Sequence, residues 1–471
     1  MKYLRSYNTV LLVIFAFLAS CANLPYQAKP LDTSKPLEKF QQKSIADPAF
    51  RDYLLKQGYT EQSIPFKSWG LNELTSTALY FHPDLTLAKA KLALAESNIE
   101  ISGLKKIPTF DAQVAHSNQA NDDIRPWAFG LQVEIPIETS DKRTIRVEEA
   151  QHLAEVARMD IAETAWQLRY QLNNDLIDYT ENANNIKLLK NNLAIYETLI
   201  NLYNKRLLKG LASNVEVSKV KLLKQKSQFE LLNEEAKTDE LVAKLATDSG
   251  LTIEQFKLIP IKTFNIENSL SEQDKALSVK PNQLQEEALL NRIDIRRGIA
   301  KYAAAEAKIK LEVAKQTPDI SLTPGIAFEY GDRIWSLGFA SLINLLNHNP
   351  TYIKQAEQLR NIEGAQFESL QSSVIGDVSL AYAKYQAVKN KLDQSKAEQQ
   401  SQLKLMEKLQ KQFEAGLADR VELTQASLSV AGAEQMLHRV EFELLRTQME
   451  IENLLQRPLL EPASKINSQI P

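Results

Sequence analysis

One short motif occurs twice in this chain, and it limits the possible fold more than any other feature. The motif consists of Gly210, Leu211, Ala212, Ser213 and Glu216 in the first copy, and of Gly416, Leu417, Ala418, Asp419 and Glu422 in the second. Glycine suits the left-handed position that ends a helix. A Ser or Asp with a Glu three residues later suits the capping box that begins one. Each copy therefore predicts two helices that meet at a tight turn and run antiparallel.

The similarity between the two halves extends beyond these turns. Leu74, Asp84 and Pro108 recur as Leu284, Asp294 and Pro318, with a constant offset of 210 positions (318 − 108). We interpret the chain as an internal duplication. The predicted divisions are a signal peptide at 1–20, a lead-in at 21–70, a first repeat at 71–250, a connector at 251–280, a second repeat at 281–457 and a tail at 458–471.

Each repeat predicts the same elements in the same order: a helix, a β-hairpin, a long helix, the tip and a return helix. The first helix is predicted over 71–106, the hairpins over 108–136 and 318–342, and the long helices over 140–208 and 350–414. Each long helix would span about 100 Å at 1.5 Å per residue, a length typical of a coiled coil. Pro324 and Gly325 interrupt the third strand and predict a bulge or a seam strand.

The remaining segments have weaker patterns. Residues 22–70 predict an extended lead-in with a short helix near 51–57, and residues 250–280 predict an irregular connector. The formal net charge is −3 with mixed signs, which does not favour nucleic-acid binding. The five histidines are scattered, and no catalytic arrangement is present. We therefore expect no enzyme activity, no bound metal and no cofactor apart from a covalent lipid.

The N-terminus contains the only cysteine of the sequence, Cys21. It follows a basic start and an apolar stretch that is too short to span a membrane. Leu18–Cys21 resembles a bacterial lipobox, in which cleavage leaves Cys21 as a lipid-bearing N-terminus. Ala22 in the next position is typical of lipoproteins sorted to the outer membrane of Gram-negative bacteria. The alternative is an ordinary signal peptide with an incidental cysteine.

Alternation in the strands predicts a wall with two different faces. The apolar face is predicted to carry Trp127, Phe129, Leu131, Trp335, Leu337 and Phe339, and the polar face Gln132 and Glu134. Four strands cannot close a barrel, whereas three chains would supply twelve strands and a twelve-helix tube. The apolar face would then contact lipid and the polar face the lumen. The alternative is a small soluble sheet packed on helices.

Three stretches of sequence accompany the order of elements over residues 70–457: His82–Leu85, the two Gly-Leu-Ala tips and Phe129–Pro136. With that order, they resemble the TolC family of outer-membrane efflux proteins. Ile135–Arg143, with Arg146, is similar to the CzcC-like metal-efflux branch. The resemblance implies a mainly α chain with a β-barrel part, which assembles as a homotrimer. It also implies two partners, a periplasmic adaptor (membrane fusion protein) and an inner-membrane pump. It does not identify the exported substrate.

The resemblance also implies roles for the tips. Gly210, Leu211, Ala212, Gly416, Leu417 and Ala418 would dock on the adaptor. Glu216 and Glu422 occupy the positions of the acidic residues at the family's periplasmic constriction, although both are also explained as capping residues. Phe413 and Gln425 depart from the family pattern, which has an aromatic hydroxyl and a second acid there. Arg420 beside Glu422 would supply a different ionic link.

Two other classes of protein stay open. One is a structural coiled-coil lipoprotein that tethers the layers of the envelope, which needs no amphipathic strands. The other is a periplasmic adaptor, which is expected to carry a single helical hairpin flanked by lipoyl-like β motifs.

Overall fold

The structure is a computed structural model that describes residues 26–31, 33–118, 126–329, 331–341 and 350–459. The predicted signal peptide, Cys21 and nearly all of the predicted tail lie outside the described residues. The chain divides into two units, and the boundary in the sequence lies between Lys43 and Ser44. In the first unit, α1 spans Pro36–Gln41 and begins with a proline in its first turn. The other elements belong to the second unit.

The second unit contains the elements of both predicted repeats. The first half consists of α2 (Pro48–Lys56), a 3₁₀ turn (Glu61–Ser63), α3 (Leu71–Phe81), α4 (Pro83–Ser102), β1 (Thr109–His116), β2 (Trp127–Ile137), α5 (Lys142–Leu208) and α6 (Asn214–Asp248). The second half consists of α7 (Ile253–Phe256), α8 (Ile266–Ala276), α9 (Pro281–Asn291), α10 (Ile293–Ala314), β3 (Ile320–Glu329), β4 (Asp332–Ser341), α11 (Pro350–Glu414) and α12 (Arg420–Leu455). The described part is thus mostly helical, with four strands.

The predicted single helix over 71–106 is wrong, because the chain breaks at His82 into α3 and α4. His82 has extended dihedral angles of φ −71° and ψ 131°. Pro83 explains the break: a residue that precedes proline disfavours the helical region, and proline itself has no N–H to donate. The Asp84 N–H then donates to His82 Nδ1 at 3.3 Å, which caps α4.

The lead-in and the connector are more ordered than predicted. α2 is capped by Asp47, whose side chain accepts a hydrogen bond from the Ala49 N–H at 2.9 Å. Its Phe50 is buried in a core that also contains Leu172 of α5. The two segments meet where the Trp69 N–H donates to the Pro260 carbonyl at 2.9 Å. Residues 45–69 and the connector form a layer on the side of the long helices. The sequence did not predict this layer, because short elements give only weak periodicity.

Each long helix packs against two shorter antiparallel helices placed end to end. Along α5 these are α4 and α6, and along α11 they are α10 and α12. Ion pairs and hydrogen bonds cross each seam; examples are Arg158 with Glu96 at 3.2 Å and Asn182 with Glu234 at 2.7 Å. Helix α5 also contacts α10 and α12, so it joins the two halves.

One seam buries a carboxyl group. Asp175 of α5 is 1% exposed. Its Oδ1 lies 2.5 Å from the Lys244 ammonium of α6, and Asp248 is a second neighbour. Burial, followed by the nearby Asp248 carboxyl group, raises the pKa of Asp175, while Lys244 acts in the opposite direction. The folded protein therefore holds a proton here at a pH at which the unfolded chain has released it.

This proton makes stability pH-dependent. Because the folded-state pKa of Asp175 lies above the unfolded value, the contribution of this residue to stability is greatest below the unfolded pKa and falls as pH rises through the folded pKa, by up to about 1.4 kcal/mol per pH unit. The urea midpoint of the purified protein should therefore decrease between pH 5 and pH 8, and Asp175→Asn should reduce that decrease. Asp239→Asn, at an exposed position on α6, is the control and should change nothing. Equal pH profiles for Asp175→Asn and the unmodified protein would contradict this assignment.

The four described strands form one antiparallel sheet in the order β1–β2–β3–β4. The predicted bulge at Pro324 is wrong, because the register of β2 against β3 is the same on both sides of it: Gln132 pairs with Gly325, and Ile135 with Leu322. Only the pairing of β2 with β3 between these two positions is interrupted, as expected because Pro324 has no N–H to donate. β3 pairs on both sides, so it is not a seam strand. The open edges of the sheet are β1 and β4.

The register confirms the predicted division into two faces, because directly opposed residues share a face. One face is apolar and carries Phe110, Val114, Trp127, Phe129, Leu131, Ile326, Phe328, Trp335, Leu337 and Phe339. The other is polar or small and carries Asp111, Gln113, Gly130, Gln132, Glu134, Gly325, Ser336 and Gly338. In the single chain the apolar face is uncovered: Trp335 is 79% exposed.

None of the helices in the described ranges combines the length and the apolar character that a membrane-spanning helix needs.

Candidate functional site at the helical tips

The first tip lies between α5 and α6. Gly210 has φ +70°, as predicted. Its N–H donates to the Leu207 carbonyl at 3.0 Å, and the Leu211 N–H donates to the Arg206 carbonyl at 2.8 Å. This pair of hydrogen bonds is a Schellman motif, which satisfies two carbonyls at the end of the helix.

The second tip, between α11 and α12, has the same geometry. Gly416 has φ +75°. Its N–H donates to Phe413 at 3.0 Å, and the Leu417 N–H donates to Gln412 at 2.8 Å. A side chain at either glycine would strain the left-handed backbone. Glycine at these two positions therefore fixes the direction in which the chain returns.

Both capping boxes are present. The Glu216 N–H donates to Ser213 Oγ at 3.2 Å, and the Ser213 N–H donates to Glu216 Oε2 at 2.7 Å. Asp419 Oδ1 accepts from the Val421 and Glu422 N–H groups at 2.6 and 3.2 Å. Hydrogen bonds from the Ser213 backbone and hydroxyl lower the pKa of Glu216. Both glutamates are exposed, so each carries an accessible negative charge as well as capping a helix.

The apolar residues after the glycines differ in exposure. Leu211 is 72% exposed and Leu417 80% exposed, so neither packs back on its own hairpin. Ala212, in contrast, packs on a buried cluster with Val217 of α6 and Val421 of α12. The prediction from sequence missed a further exposed apolar residue beside the first tip, Leu208.

Two polar contacts join the tips within one chain, and we call them together the tip link. The Arg206 guanidinium pairs with the Asp419 carboxylate. The Gln425 Nε2–H donates to the Tyr203 hydroxyl at 3.1 Å. Burial would raise the pKa of Asp419, but hydrogen bonds from Arg206 and from the Glu422 and Val421 N–H groups lower it overall. Asp419 is thus ionised at neutral pH, and its negative charge compensates the positive charge of Arg206.

The tip link does not include Arg420, whose predicted ionic link stays a prediction. Arg420 is exposed and forms no ion pair within the described part of the chain. The ionic contact between the tips is made by Arg206. Phe413 has no hydroxyl, and the tyrosine hydroxyl that contacts Gln425 belongs to Tyr203 of α5. Tyr203 and Arg206 lie seven and four residues before Gly210, on one face of α5. That spacing is readable from the sequence, but their partners across the fold are not.

The residues that the structure describes contain no cluster of three or more His, Cys, Asp or Glu side chains suited to a metal ion.

Comparisons with known proteins agree with this architecture. A model of the family described as outer membrane efflux protein matches residues 74–250 and 284–456. The fold is similar to VceC from Vibrio cholerae, at 16% identity, with 83% of this chain and 97% of that chain covered and a TM-score of 0.64.

Two further structures have the same fold. The outer-membrane channel OprN is 17% identical, with 93% of this chain and 99% of that chain covered and a TM-score of 0.66. The Campylobacter jejuni CmeC outer membrane channel is 14% identical, with 95% and 97% covered and a TM-score of 0.62. A search of curated protein sequences gives no significant match. Because the family model covers well over half of its length, this chain belongs to the outer membrane efflux protein family.

Proposed function

We propose that this protein is the outer-membrane channel of a tripartite exporter and gives its substrate one continuous duct across the periplasm and the outer membrane. The observation that carries the proposal is the open sheet with one apolar face, joined directly to helices long enough to cross much of the periplasm. Such strands are not needed by a tether and do not match the β motifs of an adaptor. The sheet therefore favours the channel over both alternatives.

The unpaired edges of the chain support assembly as a homotrimer. β1 and β4 are both open edges, and two open edges in one sheet favour ring closure with further copies. Beside β1, α4 presents Leu87, Leu94 and Ile101 at seven-residue spacing, all more than half exposed. Nearer the tip, α6 presents exposed Val215, Leu222 and Phe229 at the same spacing. These stripes are those expected at a seam between helices of neighbouring copies.

The opposite edge carries a matching apolar surface. α11 follows β4 and exposes Tyr352, Leu359 and Ile362. A contact of the α4 and α6 edge with the α11 edge of the next copy is heterologous, and it closes into a ring when the rotation is suitable. Three copies supply twelve strands, which is an even number that closes a transmembrane barrel. The apolar faces then lie outward, in outer-membrane lipid.

The helical tips then point into the periplasm, where we propose that a periplasmic adaptor docks and connects the duct to an inner-membrane pump. Support comes from Leu211 and Leu417, whose side chains are mostly exposed on turns that backbone hydrogen bonds define. Glu216 and Glu422 would line the closed end and attract cations there. The tip link would hold that end closed by keeping the two hairpins together.

If the tip link holds the periplasmic end closed, removing it should increase the passive flow of ions through the channel. Arg206→Gln combined with Asp419→Asn should raise the passive conductance of the purified channel in planar bilayers, because the ion pair between the hairpins is lost. Asparagine still caps a helix, so α12 should be preserved. Glu422→Ala should lower the cation preference of the channel. Unchanged conductance in the Gln/Asn variant would exclude a closing role for the tip link.

We further propose that Cys21 carries the lipid anchor of a Gram-negative outer-membrane lipoprotein, after removal of a signal peptide. The Cys21→Ser variant should lose labelling by palmitate and still insert through its barrel. A Cys21→Ser protein that is monomeric and soluble would contradict the proposal that this protein is an outer-membrane channel. The CzcC-like sub-assignment is tested by the compounds and metal ions to which a deletion strain becomes sensitive.

A further inference from the structure

The surface around the first tip is strongly basic. Its exposed lysines, at the end of α5 and along the start of α6, are Lys205, Lys209, Lys219, Lys221 and Lys226. The ion pairs formed near this tip within the described ranges involve other cations: Arg206 pairs with Asp419, and Lys224 with Glu197. The five lysines therefore present positive charge to solvent without an acidic partner in the described part of the chain.

The internal duplication supplies a comparison for this surface. The second tip lies 206 positions further along (416 − 210), and its residues equivalent to the five lysines are Lys411, Ala415, Gln425, Ser427 and Gly432. Residues 205–226 contain seven basic residues and one acidic residue, a net charge of +6. Residues 411–432 contain two basic and three acidic residues, a net charge of −1. The shared hairpin geometry therefore does not require the lysines.

Apolar residues alternate with the lysines along α6. Val215, Leu222 and Phe229 recur every seven residues, and Lys219 and Lys226 follow the first two of them by four residues. Residues at these intervals share one face of a helix. The three apolar side chains are 75%, 66% and 65% exposed, and they form a stripe about 21 Å long at 1.5 Å per residue. An apolar stripe with charged flanks is the pattern by which one helix selects another according to its charge.

A second copy of the chain does not supply the missing negative charge. In the proposed ring the α11 edge of the next copy lies beside α6. The part of α11 nearest the tip, residues 393–414, contains four basic and four acidic residues, a net charge of zero. One of these acids, Glu407, already pairs with Lys411 at 2.8 Å. The lysines of α6 are therefore left for a third partner of opposite charge.

We propose that this face of α6 binds an acidic α-helix of the periplasmic adaptor. The inference rests on the proposed docking of an adaptor at the tips, and it adds the chemistry of the surface that docks. Apolar side chains of the adaptor helix pack on Val215, Leu222 and Phe229, and its Asp and Glu side chains pair with Lys219 and Lys226. The seven-residue repeat favours a helix over anionic lipid headgroups, which have no such spacing. The opposite charges also speed association and exclude partners of the wrong charge.

The test is site-specific photocross-linking in cells that express the full-length protein, with p-benzoyl-L-phenylalanine in place of Leu222 and, as a reference, of Leu417. We expect position 222 to capture the adaptor, and mass spectrometry to locate the cross-link in a helical segment with net negative charge. Lys219→Glu combined with Lys226→Glu should reduce both this cross-link and export by about tenfold or more, because like charges then meet. Lys219→Arg combined with Lys226→Arg should retain both.

The control is Lys237→Glu, at an exposed lysine of α6 further from the tip, which should change neither measurement. All these variants should form the same amount of heat-modifiable oligomer. Loss of oligomer in the paired glutamate variant would overturn the inference, because the lysines would then act between copies of the chain. Unchanged cross-linking in that variant would overturn it too, as would an equal effect of Lys237→Glu.

The captured partner separates this inference from the proposed docking. Capture of the adaptor at position 417 but not at 222, or at 222 through a neutral or basic segment, would overturn the inference and leave the docking intact. Capture of lipid or of a second copy of the chain at position 222 would have the same meaning. Absence of the adaptor at both positions would contradict the docking itself.

Discussion

Replacing Phe129 with arginine should prevent assembly of the channel, whereas Gln132→Arg, three residues along the same strand, should assemble normally and change its conductance. Phe129 lies on the apolar face opposite Phe328, and Gln132 lies on the polar face opposite Gly325. An arginine facing lipid destabilises a barrel by roughly 2–4 kcal/mol near mid-bilayer, and a ring of three copies contains three such arginines. An arginine facing the lumen stays hydrated.

The measurement is the amount of heat-modifiable oligomer in outer-membrane fractions, followed by conductance in planar bilayers. The pair is informative because both variants introduce the same side chain into β2. Trp335→Arg and Ser336→Arg repeat the comparison on β4, where Trp335 lies on the apolar face and Ser336 on the polar face. Equal assembly defects within either pair would show that the assignment of the two faces to lipid and lumen is wrong.

Changing both tip leucines to aspartate should abolish export while leaving the assembled channel intact. Leu211 and Leu417 contribute little to the stability of the chain, since both are mostly exposed. Their loss therefore acts on a partner. Removing a central apolar anchor from an interface typically costs about 2 kcal/mol or more, which for each leucine is more than a tenfold loss of affinity. Export in a strain that depends on this channel, and cross-linking to the adaptor, are the measurements.

The control is Leu258→Asp, at a residue that is equally exposed but lies in the connector away from the tips. It should export normally. Full export by the Leu211→Asp, Leu417→Asp variant, with adaptor cross-links retained, would place the docking surface elsewhere. A loss of oligomer in the same variant would mean that the leucines pack between copies of the chain instead.

Features that depend on neighbours in sequence were predictable. Gly210 and Gly416 end helices, and Ser213 and Asp419 begin them, through hydrogen bonds that span five residues or fewer. The faces of β2 follow from simple alternation, because a strand places successive side chains on opposite sides. Such local rules were enough for the four strands and the two long helices.

Features that depend on distant residues were not predictable. Tyr203 and Gln425 are 222 positions apart, and only the packing of α5 against α12 brings them together. The partner of Asp419 was missed for the same reason. The break at His82 is different in kind: the proline that causes it is adjacent in sequence, but a continuous apolar pattern over both helices outweighed it. α8 was missed because an 11-residue helix gives little periodicity to detect.

The most direct test of the central claim, that one chain is a third of a closed ring, is native mass spectrometry of the mature protein released from outer membranes in detergent. The open β1 and β4 edges and the uncovered stripes on α4, α6 and α11 predict a complex with three times the mass of one mature chain, and no stable dimer. A protein that is monomeric or dimeric while still folded would contradict the account, because its sheet would then have no partner to close it.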